Sequence, residues 1–303
     1  MIRRTLQLII SVFAVFIISR VLIRALPGDP LDSLLAETAL TIPRDKIIED
    51  LGLHLPLHKS LYRDLIQLFH GQLGYSLVTR EPVLETLLPR LLKSMQLALG
   101  ALTIAIALGV TGGIFCAIPH ESRFNRSLAS LIRSTSTLVI CIPLAWIGPV
   151  ALYLFAVLLP WTEFQGSLGL ACLSMALPLA GGWVRLVETR TKEEMQQPFF
   201  RATLARGTSI RRAVMKSGLA PSGGALIAMA GSQAGSLLAG SFIAEWIFDW
   251  PGMGIAWVQA ALQRDYPMME ASTFLGACLC LIGVYLGDLL QEAWDPRQGE
   301  PRS

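Results

Sequence analysis

Few residues in this sequence could do chemistry, and their spacing does not suit it. His54 and His58 stand at i, i+4, where two imidazoles on one helix face could share a metal ion. Pro56 lies between them, and no cysteine or carboxylate completes a ligand set, so they and His70 read as exposed loop residues. Cys116, Cys141, Cys172, Cys278 and Cys280 all lie in apolar stretches, with neither metal-ligand nor secreted-disulfide spacing. They read as small hydrophobic residues. No Gly-x-x-x-x-Gly-Lys-Ser/Thr phosphate loop is present, so nucleotide is not bound by that route. His-Glu-x-x-His, Gly-x-Ser-x-Gly and a catalytic acid pair are also missing. Intramembrane proteolysis would need paired aspartates, Ser/His or metal ligands, and Asp288 stands alone. The chain is therefore expected to be no enzyme, to hold no metal, and to carry no cofactor of its own.

The composition says what these residues are embedded in. Of 303 residues, 53% are hydrophobic and only 16% charged, against about 25% charged in an average soluble domain; the mean hydropathy is +0.54. A disordered chain is excluded and a soluble enzyme disfavoured. A net charge of +3 gives no general polyanion-binding surface, so nucleic acid is not an expected partner. Six segments reach the roughly 20 apolar residues that cross a bilayer: about 5–26, 95–118, 128–159 (broken by Pro143 and Pro149), 168–187 (containing Pro178), 223–248 and 271–290. The first opens on Arg3 and Arg4 but lacks a small-x-small cleavage site near Leu26-Pro-Gly-Asp-Pro30, so it reads as an uncleaved anchor.

Charge placement orients these spans. With the N-terminus in the cytoplasm, the inner segments hold 14 of the 25 basic residues against 7 acidic ones, while 27–94 holds 7 basic and 9 acidic. The bias predicts both termini inside. Of the ionisable residues near span ends, Arg20, Arg24 and Arg185 are expected to snorkel and Asp288 to hold a structural hydrogen bond; Arg133 and Glu245 belong to the same group. Small residues fill the fifth span (Gly231, Ser232, Ala234, Gly235, Ser236, Gly240, Ser241), which permits close helix approach or a polar pathway.

The loops carry more pattern. The outer stretch 27–94 is expected to form short helices on the outer membrane face, one of them with Leu61, Leu65, Leu68 and Phe69 on a single side. The inner stretch 185–221 reads as two short basic helices turning at Gly207, with Thr208 or Ser209 capping the second. Such a pair would suit a groove on a partner; a solvated loop that only sets topology is the plainer reading. Phe248-Asp-Trp-Pro-Gly-Met-Gly254 is a turn followed by a dozen residues of helix-forming pattern. It reads as a re-entrant or interfacial element with Trp246, Trp250 and Trp257 at the membrane interface.

Several signatures recur in order. They are the opening helix leaving through Leu26-Pro-Gly-Asp-Pro30; Leu51-Gly-Leu-x-x-Pro56-Leu57; Gly71-x-Leu-Gly-Tyr-Ser-Leu77 with Pro82-Val83; Phe248-x-Trp-Pro-Gly-x-Gly254; Arg264-Asp-Tyr-Pro267; and Asp288 before Asp295-Pro-Arg297. Together they resemble, over nearly the whole chain, the B-type membrane subunit of the dipeptide/oligopeptide/nickel ABC importers. That family's coupling motif reads Glu-Ala-Ala, three residues, then Gly. Arg201, Ala202, Thr203 and Gly207 occupy it here, arginine being usual in the peptide branch and threonine a departure. Arg211, Arg212 and Lys216 match basic positions, Ser217 replaces a usual histidine, and Pro221-Ser-Gly-Gly224 replaces an asparagine–proline pattern.

The resemblance implies an all-α polytopic membrane protein of six transmembrane helices, like a type I ABC importer permease with a cytoplasmic coupling helix. It divides the chain into an N-terminal helix (1–26), an extracytoplasmic segment (27–94), a permease core (95–293, coupling helix near 199–217) and a cytoplasmic tail (294–303). It places Trp250, Pro251, Gly252, Gly254, Asp265 and Tyr266 in the last outer loop. The implied partners are a homologous C-type permease, two ABC ATPases that bind the ATP, an extracytoplasmic solute-binding protein, and lipid. The implied setting is a bacterial inner membrane, and the implied work is import of peptides by alternating access. Nickel or another small solute as cargo, or a membrane scaffold without transport, are the alternatives.

Overall fold

The computed structural model describes residues 2–24, 57–161 and 167–294. The expectations placed on His54, on Leu26 to Pro30, on 51–56 and on Asp295 to Arg297 lie outside those residues. Within them the regular structure is helical, apart from a single antiparallel bridge between Tyr75 and Pro82. In chain order the helices are α1 (Ile2–Arg24), α2 (Leu57–Phe69), α3 (Val83–Ala117), α4 (Arg123–Cys141), α5 (Leu144–Leu152), α6 (Leu168–Met195), α7 (Pro198–Ala205), α8 (Ile210–Ala213), α9 (Gly223–Gly240), α10 (Phe242–Ile247), α11 (Met253–Leu262) and α12 (Tyr266–Trp294). A π-helical turn extends α5 over Tyr153–Leu158, and another extends α8 over Val214–Leu219.

Four helices are long and apolar enough to cross a bilayer alone: α1 over Arg4–Val21, α3, α6 and α12. The expected third span is a bent pair. α4 and α5 meet at 108° across Pro143, a residue that supplies no N–H to continue the first helix. The expected fifth span also departs from the reading. It is two helices, and α9, whose 18 residues are diluted by glycine, serine and Gln233, is not among the helices apolar enough to cross alone. Two helices run past their expected apolar spans: α3 begins at Val83 rather than Met95, and α6 continues beyond Val187 to Met195.

The chain divides into two compact units, 1–95 with 251–281, and 96–250 with 282–303. In the first, Val83 and Leu87 of α3 pack with Met253, Ala256 and Ala260 of α11 and with Met268, Met269 and Ala271 of α12. Phe16 of α1 meets Phe274 of α12 edge-on at 5.8 Å. In the second, Leu97, Ala98, Ala101 and Leu102 of α3 pack with Leu170, Ala171, Cys172 and Met175 of α6. Glycines set the helix spacing there. A Cβ on Gly109 would lie 2.0 Å from the Cβ of Trp183, and one on Gly231 of α9 would lie 2.2 Å from the Cα of Gly287 of α12. Gly231 and Gly235 thus face Gly287 and Gly283, two small-x-x-x-small pairs that bring backbones into contact.

Candidate functional site

The basic stretch after α6 is built as a helical hairpin. Pro198 occupies the first helical position of α7, where no intrahelical N–H bond is lost. α7 closes at Gly207, whose φ is +79° and whose N–H donates to the Leu204 carbonyl at 2.9 Å. An added Cβ at Gly207 would meet nothing within 4 Å, so the need for glycine is conformational rather than steric crowding. Ser209 holds the N-cap position of α8, but its side chain makes no capping hydrogen bond; its carbonyl accepts from Ala213 N–H at 2.9 Å. The second helix is also shorter than expected, four α-helical residues running on into the π turn.

One side chain fastens this hairpin. Phe200 is buried with Ala213 and Val214, against Ile114 and Ile118 at the end of α3 and Met195 at the end of α6. Over that anchor, Arg201, Ala202, Arg206, Arg211, Arg212 and Lys216 are all exposed. Thr203 donates its hydroxyl to the Phe199 carbonyl at 2.9 Å and lies 3.4 Å from the Ser217 hydroxyl. Two of the positions that depart from the family pattern therefore touch each other. The result is a cationic surface on an apolar pivot, suited to an acidic groove rather than to bond chemistry.

The outer-loop positions fall in two places. Trp250 is buried in the second unit among Leu152, Ala244 and Phe248, not at an interface, whereas Trp246 and Trp257 are exposed. In the first unit, Gly252 caps α11 after an exposed Pro251, Gly254 lies in its first turn, and Met253 N–H donates to Ser94 Oγ at 2.8 Å. Asp265, at the N-terminus of α12, is buried. Its carboxylate accepts from Ser76 Oγ, from Leu77 N–H at 3.1 Å and from Met268 N–H at 3.4 Å. It thereby ties the Gly71–Leu77 signature to the Arg264–Pro267 signature, with half-buried Tyr266 beside it.

The ionisable residues near span ends are paired more often than expected. Arg20 does not merely snorkel. It bonds Glu270 of α12 and, at 2.9 Å, Asp64 of α2. α2 buries Ser60 and Asp64 on the side of that pairing; Leu61, Leu65 and Leu68 of the expected face are half-buried, and Phe69 is 83% exposed. Arg133 of α4 donates to Glu188 at 2.7 Å and to the Cys116 carbonyl at 2.7 Å, and Lys192 donates to the same Glu188 oxygen at 2.6 Å. Glu245 is fully buried and accepts from Ser241 at 2.8 Å. Asp288 is half-buried and is not without an interaction partner. In the middle of α6, Trp183 donates its indole N–H to Gln233 of α9 at 2.7 Å. Among the described residues no three His, Cys, Asp or Glu side chains converge as a metal site. The sequence reading missed Phe200, Glu188 and Gln233; a lone carboxylate amid arginines and a lone amide inside an apolar run were the available signals.

Residues 109–300 match the family model described as a binding-protein-dependent transport system inner membrane component. The chain is 29% identical to the oligopeptide transport system permease protein AppB of Bacillus subtilis (strain 168), covering 98% of each. It is 28% identical to the di/tripeptide transport system permease protein DppB of Pseudomonas aeruginosa (strain UCBPP-PA14), covering 97% of each. It is 27% identical to the glutathione transport system permease protein GsiC of Escherichia coli (strain K12), again over 97% of each. A chain in an inward-facing crystal form of the MetNI methionine ABC transporter superposes with a TM-score of 0.61 at 18% identity, over 71% of this chain and 98% of that one. That likeness is one of fold.

Proposed function

This chain belongs to the family of binding-protein-dependent transport system inner membrane components, and from that premise we propose how it serves its importer. It is a non-enzymatic permease subunit of an ABC importer. Its cargo in our reading is peptide, because the relatives matched over nearly their whole length are permeases named for oligopeptides, di/tripeptides and glutathione. Both termini face the cytoplasm, and 27–94 lies outside, on the strength of the basic-residue bias. The chain pairs with a homologous C-type permease, two ATPases that bind the ATP, and a solute-binding protein. Phe248–Tyr266 stands at the outer mouth, close to the binding protein.

The observation that carries the mechanism is the hairpin α7–Gly207–α8. Arg201, Ala202 and Thr203 on its first arm, with Arg211, Arg212 and Lys216 on its second, form the face that seats in an ATPase cleft. Phe200 supplies the lever, since it rests on Ile114 of α3 and on Ile118 just beyond that helix. Nucleotide-driven closure of the ATPases displaces the hairpin, and the displacement reaches a spanning helix through that packed ring. Like charges placed on an acidic groove repel it, so Arg211→Glu lowers ATPase retention on purification. A photoactivatable crosslinker at Ala202 should capture an ATPase subunit in the assembled importer. Capture of the binding protein instead would overturn the placement.

A further inference from the structure

A second polar feature lies on the flank of the same unit. Arg133 and Thr137 of α4 and Val184, Arg185, Glu188, Thr189, Lys192 and Glu193 of α6, with Gln196 beyond it, line an open cavity of about 650 Å³. Its depth follows from α6. From Leu168 to Val184 the helix is uncharged, about 25 Å of rise at 1.5 Å per residue, which approaches the thickness of a hydrocarbon core. Arg185 begins its charged end, so the cavity opens where α4 and α6 leave the apolar layer. Its carboxylates are already engaged: Glu188 by Arg133 and Lys192, and Glu193 by Arg190 at 3.1 Å. The described ion pairs leave out Arg185, which is exposed. Three cations against two satisfied carboxylates leave the cavity with an excess of positive charge.

We propose that this cavity holds the phosphate headgroup of an anionic phospholipid from the inner leaflet, with Arg185 as its unpaired cation. Basic pockets between spanning helices on the cytoplasmic side suit such headgroups. The Glu188 bridge sets Arg133 and Lys192 at the rim while their remaining N–H groups stay free to donate. The placement in the inner leaflet rests on the orientation proposed above.

The test uses the assembled importer purified in neutral detergent and titrated with phosphatidylglycerol, with phosphatidylcholine and inorganic phosphate as parallel arms. Bound lipid per complex is read by mass spectrometry. The wild type should prefer phosphatidylglycerol, and Arg185→Gln should weaken that preference about fivefold, as expected for loss of one cation near the membrane surface. Arg185→Lys should retain most of it. Equal binding by wild type and Arg185→Gln would overturn the proposal. So would inorganic phosphate competing at millimolar concentration, which would mark a free-anion site, or displacement by transported peptide, which would mark a pathway site. If Arg185→Gln did not assemble, a photoreactive phosphatidylglycerol on the wild type would decide: label on 133–138 and 184–196 supports the site, and label confined to other segments refutes it. ATPase retention and peptide uptake by the same preparation report on the permease reading separately, since Arg185 lies outside the α7–Gly207–α8 face.

Discussion

Phe200 and Asp265 do comparable work, each within its own compact unit. Each joins segments distant in sequence through one buried side chain. Truncating Phe200 to alanine removes a fully buried aromatic ring and should cost about 3–5 kcal/mol locally. Because the ring fastens the hairpin rather than a whole domain, we expect the protein to insert normally and ATPase retention to fall. Undiminished retention in Phe200→Ala would mean that the hairpin holds its position without the ring. Asp265→Ala removes an acceptor shared by Ser76, Leu77 and Met268 and leaves buried N–H donors unpaired, at about 1–3 kcal/mol. A lowered Tm in detergent is the expected sign, and an unchanged Tm would show that these groups find other partners. Gly207 is legible in the sequence because a glycine between two helix-forming runs announces a left-handed turn. Phe200 is not, because nothing in a basic, amphipathic stretch distinguishes the ring that will be buried from its neighbour Phe199, which is 45% exposed.

The spans show where hydropathy stops being informative. α3, α6 and α12 are legible because long apolar runs have few alternatives to a membrane helix. α9 is harder to see because its function in packing demands small residues: glycines at 231 and 235 lower its hydropathy while letting α12 approach. A side chain at Gly231 would meet the Gly287 backbone, which has no flexible end to yield. Gly231→Val should therefore cost about 1–3 kcal/mol by overpacking and lower the yield of assembled complex. Gly169→Ala, where an added Cβ meets nothing within 4 Å, serves as the silent control. Equal yields from the two variants would contradict close α9–α12 contact. The bend between α4 and α5 is signalled by Pro143, but a proline alone does not tell a mild kink from the 108° turn observed. The ends of α3 and α6 are not legible in hydropathy for another reason: a helix continues past its apolar run when polar residues can still pack, as Glu188 does with Arg133.

For the whole molecule, the sequence supports an importer permease because many weak signatures occur in the right order, and no single residue would have sufficed. Topology and coupling are the two global consequences. A cysteine probe replacing exposed Gln72, in a background free of native cysteines, should react with an impermeant reagent from outside. Reaction only after the inner membrane is permeabilised would reverse the orientation. The central claim, that this chain passes peptides and is driven through Gly207 and its two helices, has a direct measurement. It is ATP-dependent uptake of labelled peptide into proteoliposomes bearing the complete importer, with ATP hydrolysis followed in the same vesicles. A branched residue at a left-handed φ costs about 1–2 kcal/mol, and it misdirects α8 besides. The wild type should take up peptide, and Gly207→Val should keep hydrolysing ATP with uptake reduced at least tenfold. Full uptake by Gly207→Val, or a wild-type importer that accumulates nickel but no peptide, would contradict that claim.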